Sequence, residues 1–131
     1  MTDTLTTRTS RYRLRPDGII VQEIQGTDTQ TLADARENIA AFNQLAAAER
    51  RPCLVDMQVN YSMERGVREY YGSPEACRWC SAVAMVVRSG FTRVIGNLVL
   101  ALNTPPVPLR MFSSVADATA WLLKFEGARR P

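Results

Sequence analysis

Histidine is absent from the sequence. Its absence excludes a Ser-His-Asp triad, a Cys-His pair and any histidine-ligated metal. It also removes the side chain that most often serves as a general base near neutral pH. Lysine is nearly absent too, Lys124 being the only one, so the basic charge is almost all arginine. Arginine suits bidentate binding of carboxylate or phosphate, although the same bias also follows from genome composition. No Gly-rich phosphate loop and no paired-carboxylate motif is found. No apolar run is long enough to cross a bilayer. The opening "MTDTLTTRTSRYRLR" lacks the apolar stretch of a signal peptide, which predicts a cytoplasmic location. The three cysteines are too few for a disulfide framework and are expected as reduced thiols.

What is present fits one soluble globular domain. The chain has 131 residues, of which 46% are hydrophobic and 22% charged, enough for one good core. A net charge of +3 is too weakly basic to argue for nucleic acid. Residues 1 to 9, polar and Thr-rich, read as a frayed arm, residues 10 to 127 as the domain, and residues 128 to 131 as a tail.

From Ser10 onward, Arg11, Arg13 and Arg15 alternate with Tyr12 and Leu14, the period of a strand with one wet face. "PDG" at 16 to 18 is a tight turn, and "IIVQEI" at 19 to 24 a β-branched strand, so the domain opens on an antiparallel hairpin. Thr31 with Asp34 fits a capping box, with Asp28 or Thr29 as the cap of an alternative earlier start, ahead of Leu32, Ala35, Ile39, Phe42 and Leu45 at helical spacing. "CLVDM" at 53 to 57 reads as a strand buried on both faces. Met63 to Tyr71 can form a helix, and Ser73 with Pro74 opens a short helical stretch through Trp79. "AVAMVV" at 82 to 87 is another doubly buried strand. A helix follows from about Phe91 to Leu102 and then "LRMF" at 109 to 112 as the last strand. Ser114 with Asp117 caps a final helix whose core face is Ala118, Trp121, Leu122 and Phe125, with Gly127 as its C-cap. The order is β-β-α-β-α-β-α-β-α. Strands that alternate with helices, three of them apolar on both faces, imply an α/β fold. The sheet is mixed, mostly parallel and five-stranded, and is covered by helices.

Four segments, "TLADARENIAAFNQLA", "CLVDM", "AMVVRSGFTRVIGNLVLALN" and "PLRMFSSVADATAWL", together resemble the SpoIIAA-like, or STAS-type, small bacterial proteins. The resemblance runs from Arg11 to Glu126 and implies a mixed sheet with helices and a role in binding or regulation. The best-known members of that superfamily are antagonists of anti-sigma factors, switched by phosphorylation of a serine in an Asp-Ser-Ser-Gly motif. Others are transporter appendages or share features with lipid-carrying domains. Here the corresponding stretch is "NYSMERGV": Gly66 matches the glycine, Glu64 and Arg65 stand where the serines would be, and Ser62 is out of register. The phosphoserine switch is therefore not carried over.

Four sets of residues are candidates for function. "CRWC", with Cys77 and Cys80, has the spacing of a redox motif. It sits at the end of a helical turn and before a strand, where the helix dipole does not favour a thiolate, so packing is the stronger reading. A metal would need two more ligands, and Cys53 is the only further soft one. The second set follows from topology, because ligands collect beyond the carboxyl ends of parallel strands. Those ends carry Asp56 and Asn60, then Arg88, Ser89 and Gly90, then Ser113 and Ser114, and could hold an anion. The third is the Arg11, Arg13 and Arg15 stripe. It reads as charge guarding an edge strand, with no aromatic interleaved on that face to stack nucleic-acid bases. The fourth is a partner surface implied by the resemblance, at Tyr61, Ser62, Arg65 and Arg68.

The reading favours a non-catalytic binding or regulatory module without cofactor, metal or catalytic residues. A protein partner or a second copy of the chain would bind it. The alternative is a carrier of a small anionic ligand, nucleotide or lipid, with its pocket beside the apolar helix at 91 to 102. An enzyme using Cys77 and Cys80 ranks third.

Overall fold

Alternation of buried and exposed side chains begins where the sequence places it. In the computed structural model, which describes residues 3–26, 29–57, 62–88, 90, 92–93, 97 and 106–125, Ser10–Leu14 and Ile20–Ile24 pair antiparallel. These are β2 and β3. Asp17 accepts a hydrogen bond from the Ile19 amide at 3.2 Å, and Gly18 takes φ 90° in the turn between them, a value only glycine adopts freely.

A strand precedes them. Thr4–Thr6, as β1, pairs antiparallel with β2. The expected frayed arm is corrected here. Threonine favours extended backbone, Leu5 packs against the core, and residues 7 to 9 are held by side-chain hydrogen bonds. The sheet thus has six strands rather than five, and β2 is an interior strand, so its arginines do not guard an edge. Arg11 instead meets Glu23 across the strand pair, and Arg15 binds Asp17 and Thr119.

β4 (Arg51–Asp56), β5 (Cys80–Val86) and β6 (Leu109–Phe112) continue the sheet in parallel, giving the sequential order β1-β2-β3-β4-β5-β6. Among them β4 and β5 are buried on both faces, as doubly covered parallel strands should be. β6 is an edge. Asn97 closes it: its Oδ1 accepts from the Met111 amide at 2.8 Å and its Nδ2 donates to the Met111 carbonyl at 3.2 Å. A side-chain amide thus satisfies the backbone groups that would otherwise invite another strand.

Each step from β3 to β6 moves to the adjacent strand in one direction. Right-handed crossovers then put their connections on a single face. α1 (Leu32–Ala46) and α2 (Val67–Tyr71) lie on that face. α1 begins with the expected capping box, Thr31 Oγ1 accepting from the Asp34 amide while Asp34 accepts from the Thr31 amide. α2 is shorter than Met63 to Tyr71, because Met63 is spent in a parallel bridge to Gln30. Residues 73 to 79 are turns rather than a helix, with Ser73 Oγ accepting from the Ala76 amide. Gly90, Thr92, Arg93 and Asn97 are helical, and the rest of the 91 to 102 prediction lies outside the described residues, as does Gly127. α3 (Val115–Leu122) covers the opposite face, its first turn capped by Ser114, which accepts from the Asp117 amide at 3.1 Å.

The core is therefore split by the sheet. Ile19, Val21, Leu54, Ala82, Ala84 and Val86 meet Ala118 and Leu122 on the α3 face. Tyr12, Ile20, Ile24, Cys53 and Val55 meet Ala41, Phe42 and Leu45 on the α1 face. Among the described residues, no helix is long and apolar enough to cross a membrane.

Candidate functional site

Strand register lays two rows of side chains across the α1 face. Ile20, Cys53, Val83 and Leu109 form one, and Gln22, Val55, Met85 and Met111 the next. α1 packs chiefly over β1, β2 and β3, with Phe42 and Leu45 meeting Cys53 and Val55 of β4. Both rows line a cavity of about 540 Å³. That volume falls within the range of small-molecule pockets. Ile39 and Phe42 of α1, Arg68 and Tyr71 of α2, Met63, and Ala76 with Cys77 form its walls.

The lining is mostly apolar and rich in sulfur. All three cysteines and four of the five methionines of the chain face this one cavity. Methionine is flexible and polarisable, which suits a wall that must fit more than one shape. A β-bulge explains why Cys80 is there. Arg51 pairs with Cys80 but Cys53 with Val83, so β5 carries one extra residue, and the bulge turns Cys80 onto the cavity face.

The thiols of CRWC are neutral. Burial pushes Cys77 up, and burial, then the adjacent Cys77, pushes Cys80 up to about 12. Cys53 is driven in the same direction by burial and by both other thiols. Cys77 donates to the Tyr71 carbonyl at 3.3 Å and Cys80 to the Ala82 carbonyl at 3.4 Å. A redox thiol needs the opposite shift. Among the described residues no cluster of cysteines and acids could hold a metal ion.

One end of the cavity is polar. Gln30, 1% exposed, accepts from the Tyr71 hydroxyl at 2.8 Å, and that hydroxyl accepts from Asn38 Nδ2 at 2.9 Å. Fully buried Asn38 also donates to Thr9 Oγ1 at 3.0 Å and accepts from Thr7 Oγ1. This network ties β1 to α1, α1 to α2, and α2 to the strand end that leads out of β3. Elsewhere on the lining, Gln22 donates to Ser10 Oγ at 3.0 Å. Beside Tyr71 on α2, three residues earlier and so on the same helix face, stands Arg68.

Of the residues singled out in the sequence, the thiols of Cys53, Cys77 and Cys80 line this cavity, and from the ligand and partner sets Arg68 joins them. Asp56, Val86 and Phe112 do stand in register, so Asp56, Arg88 and Ser113 follow one another at a single end of the sheet. Arg88, Gly90 and Ser113 are exposed there, and Ser114 is engaged as a helix cap. Ser62 and Arg65 are exposed, with Ser62 Oγ 2.8 Å from Thr29 Oγ1. Asn60, Tyr61 and Ser89 lie outside the described residues. Gln22, Gln30, Asn38 and Tyr71 were not anticipated. A signal existed for two of them: Gln22 interrupts Ile20 and Ile24 on an inward strand face, and Asn38 sits between Ala35 and Phe42 on the apolar side of α1.

Comparison with known proteins fits this architecture. An uncharacterised protein from Shewanella loihica PV-4, of the DUF3478 family and with a SpoIIAA-like fold, superposes with a TM-score of 0.63. The match covers 93% of this chain and 98% of that one at 13% identity, which establishes the fold alone. A protein of unknown function from Arthrobacter sp. FB24 is 32% identical over 90% of this chain and 95% of its own, with a TM-score of 0.30. No curated protein matches. A family model for a domain of unknown function, DUF7793, matches residues 12–126. The chain therefore has a SpoIIAA-like fold and belongs to the DUF7793 family.

Proposed function

We propose that this protein is a non-catalytic binding module that holds a small, largely apolar molecule between its sheet and the α1–α2 layer. The observation that carries this reading is the 540 Å³ cavity with its methionine- and cysteine-rich wall. The described lining contains no carboxylate, lysine, serine or threonine, and its thiols are held neutral. Such a lining favours burying apolar surface over moving protons. A regulatory extension draws support from α2, since Arg68 belongs both to the cavity wall and to the exposed surface where Ser62 and Arg65 lie. A partner touching that surface would sense what the cavity holds.

The test is native mass spectrometry of freshly purified protein, followed by uptake of the neutral fluorophore N-phenyl-1-naphthylamine. Wild type is expected to carry a removable mass or, once stripped, to take up the fluorophore. Met85→Trp, which fills the cavity from its floor, should do neither while keeping its circular dichroism. Wild type that arrives empty and leaves the fluorophore dark refutes the proposal.

A further inference from the structure

The cavity has two unlike ends. Cys53, Cys80, Val83 and Leu109 lie toward the amino ends of the parallel strands and offer only apolar or neutral groups. Met57 follows the carboxyl end of β4, and near that end stands Met63, paired with Gln30, which accepts from the Tyr71 hydroxyl; the Tyr71 carbonyl at the end of α2 meets Cys77, and Arg68 lies one turn before it, nearer to Met63 in the chain. The path along β4 from Cys53 to Met57 is four residues, roughly 13 Å of strand. The apolar length is thus that of a medium alkyl chain, and it leads toward a polar mouth.

Arg68 is the one charged side chain on the described lining. It is exposed, and among the described residues its guanidinium has no acidic partner. Asp34, Asp17 and Glu49 are each taken by another arginine, Arg8, Arg15 and Arg51. A guanidinium forms two parallel hydrogen bonds to a carboxylate or phosphate, and does so most strongly beside an apolar wall that excludes water. Tyr71 and Gln30 are locked to each other by the buried network, so the mouth is pre-shaped.

Resting on the cavity reading above, we infer that the occupant is a single-chain amphiphile with an anionic head. The head group meets Arg68 at the α2 mouth, and the tail runs over Val55 and Met85 toward Cys53 and Leu109. The head is a carboxylate or a phosphate; both satisfy the same guanidinium. The neutral fluorophore is blind to this choice, which lets the two readings be separated.

The experiment is displacement of N-phenyl-1-naphthylamine by dodecanoate, dodecyl phosphate, dodecanol and dodecyltrimethylammonium, each below its micellar concentration, on wild type, Arg68→Gln and Arg68→Lys. On wild type the two anions should displace at about tenfold lower concentration than dodecanol, as one charge-assisted contact allows, and the cation should be the weakest. Arg68→Gln should erase the preference for anions, read as the ratio of anion to dodecanol displacement within the same variant. Arg68→Lys should keep part of it. Shortening the chain by one methylene should weaken each ligand by about fourfold. The stronger of the two anions identifies the head group. Equal displacement by dodecanol and the anions, or an anion preference that survives Arg68→Gln, overturns this inference and spares the cavity. A wild type that takes up no fluorophore overturns both.

Discussion

The two faces of one sheet are built differently. On the α3 face, Ala82, Ala84 and Ala118 are wholly buried, and their small side chains let Leu122 sit at 0% exposure against the strands. Phe112, Trp121 and Phe125 pack at its margin, tilted and then edge to face, with centroids 5.6 and 4.9 Å apart. On the α1 face the same strands present Val83, Met85, Leu109 and Met111, larger side chains that are nonetheless only partly buried around a cavity. Close packing on one side and space on the other is a division of labour. The α3 face is packed throughout, whereas the α1 face joins a buried core under α1 to a cavity with room for a ligand.

The largest expected effect follows directly. Leu122→Ala should cost about 2–5 kcal/mol, because it leaves a void in a packed layer. Met85→Ala should cost no more than about 1 kcal/mol, since its side chain already borders empty space. Urea denaturation of the two variants measures the difference. Equal losses would mean that the cavity face is as tightly packed as the other.

Enlarging residues reads the same comparison from the other side. Ala84→Leu should destabilise by about 1–3 kcal/mol through overpacking against α3. Val83→Leu, its neighbour in sequence but on the opposite face, adds volume where volume is available and should shift stability by less than about 0.5 kcal/mol. Thermal melts of the pair suffice. A large loss for Val83→Leu would show that the wall cannot accommodate added bulk, and would weigh against an adaptable pocket.

The sequence spoke more clearly about the α3 face than about the cavity. Period-two alternation in Ser10–Leu14, the unbroken apolar runs in β4 and β5, and the caps at Thr31 and Ser114 are local signals with local causes, and each was read correctly. β1 was missed because its three residues bury little, and its place depends on Asn38 some thirty positions away. A carrier's pocket was expected beside the helix at 91 to 102, most of which lies outside the described residues, and the lining of this cavity was not foreseen, for a related reason. Its walls come from β2 to β6, both α1 and α2, and the turns between, and nearly every one of those residues looks like ordinary core when taken alone. A cavity is a property of packing, and neither spacing nor composition encodes where one forms. Arg68 was reached through a resemblance, and its role at the cavity came only with the register of the strands.

The helices are fastened by different means, and acid should reveal it. α3 is held by apolar contact, whereas the start of α1 is held by Arg8, whose Nε donates to Asp34 Oδ1 at 2.7 Å. The Arg8 guanidinium beside Asp34 holds its carboxyl well below the usual carboxylate range, helped by Thr31 and opposed by burial. A depressed folded value stabilises above the unfolded pKa of about 3.9 and is lost as pH falls toward the folded one. Stability from this pair should therefore be complete at neutral pH and decline only below about pH 4. Asp34→Asn should cost about 1–2 kcal/mol at pH 7, a figure kept low because Arg8 is half-exposed. The gap between wild type and Asp34→Asn should narrow by pH 2.5, measured by urea denaturation at both values. A gap independent of pH would assign the loss to the cap geometry alone.

The smallest effect sits at the other end of α1. Its C-cap, Ala47, has φ 52° and ψ 49°, and Ala48 has φ 63°. A left-handed conformation costs an L-residue about 1–2 kcal/mol, and glycine avoids that cost while adding about 0.5–1 kcal/mol of chain entropy to the unfolded state. Ala47→Gly should thus stabilise by about 0.5 kcal/mol. Where that gain shows up bears on the comparison between the faces. If the two open together, amides of α1 and α3 should slow equally in hydrogen exchange. If α1 opens first, as a layer over a cavity would allow, only the α1 amides should slow and those of α3 should keep their wild-type rates. Equal slowing would mean that the space under α1 has not made its layer the looser one.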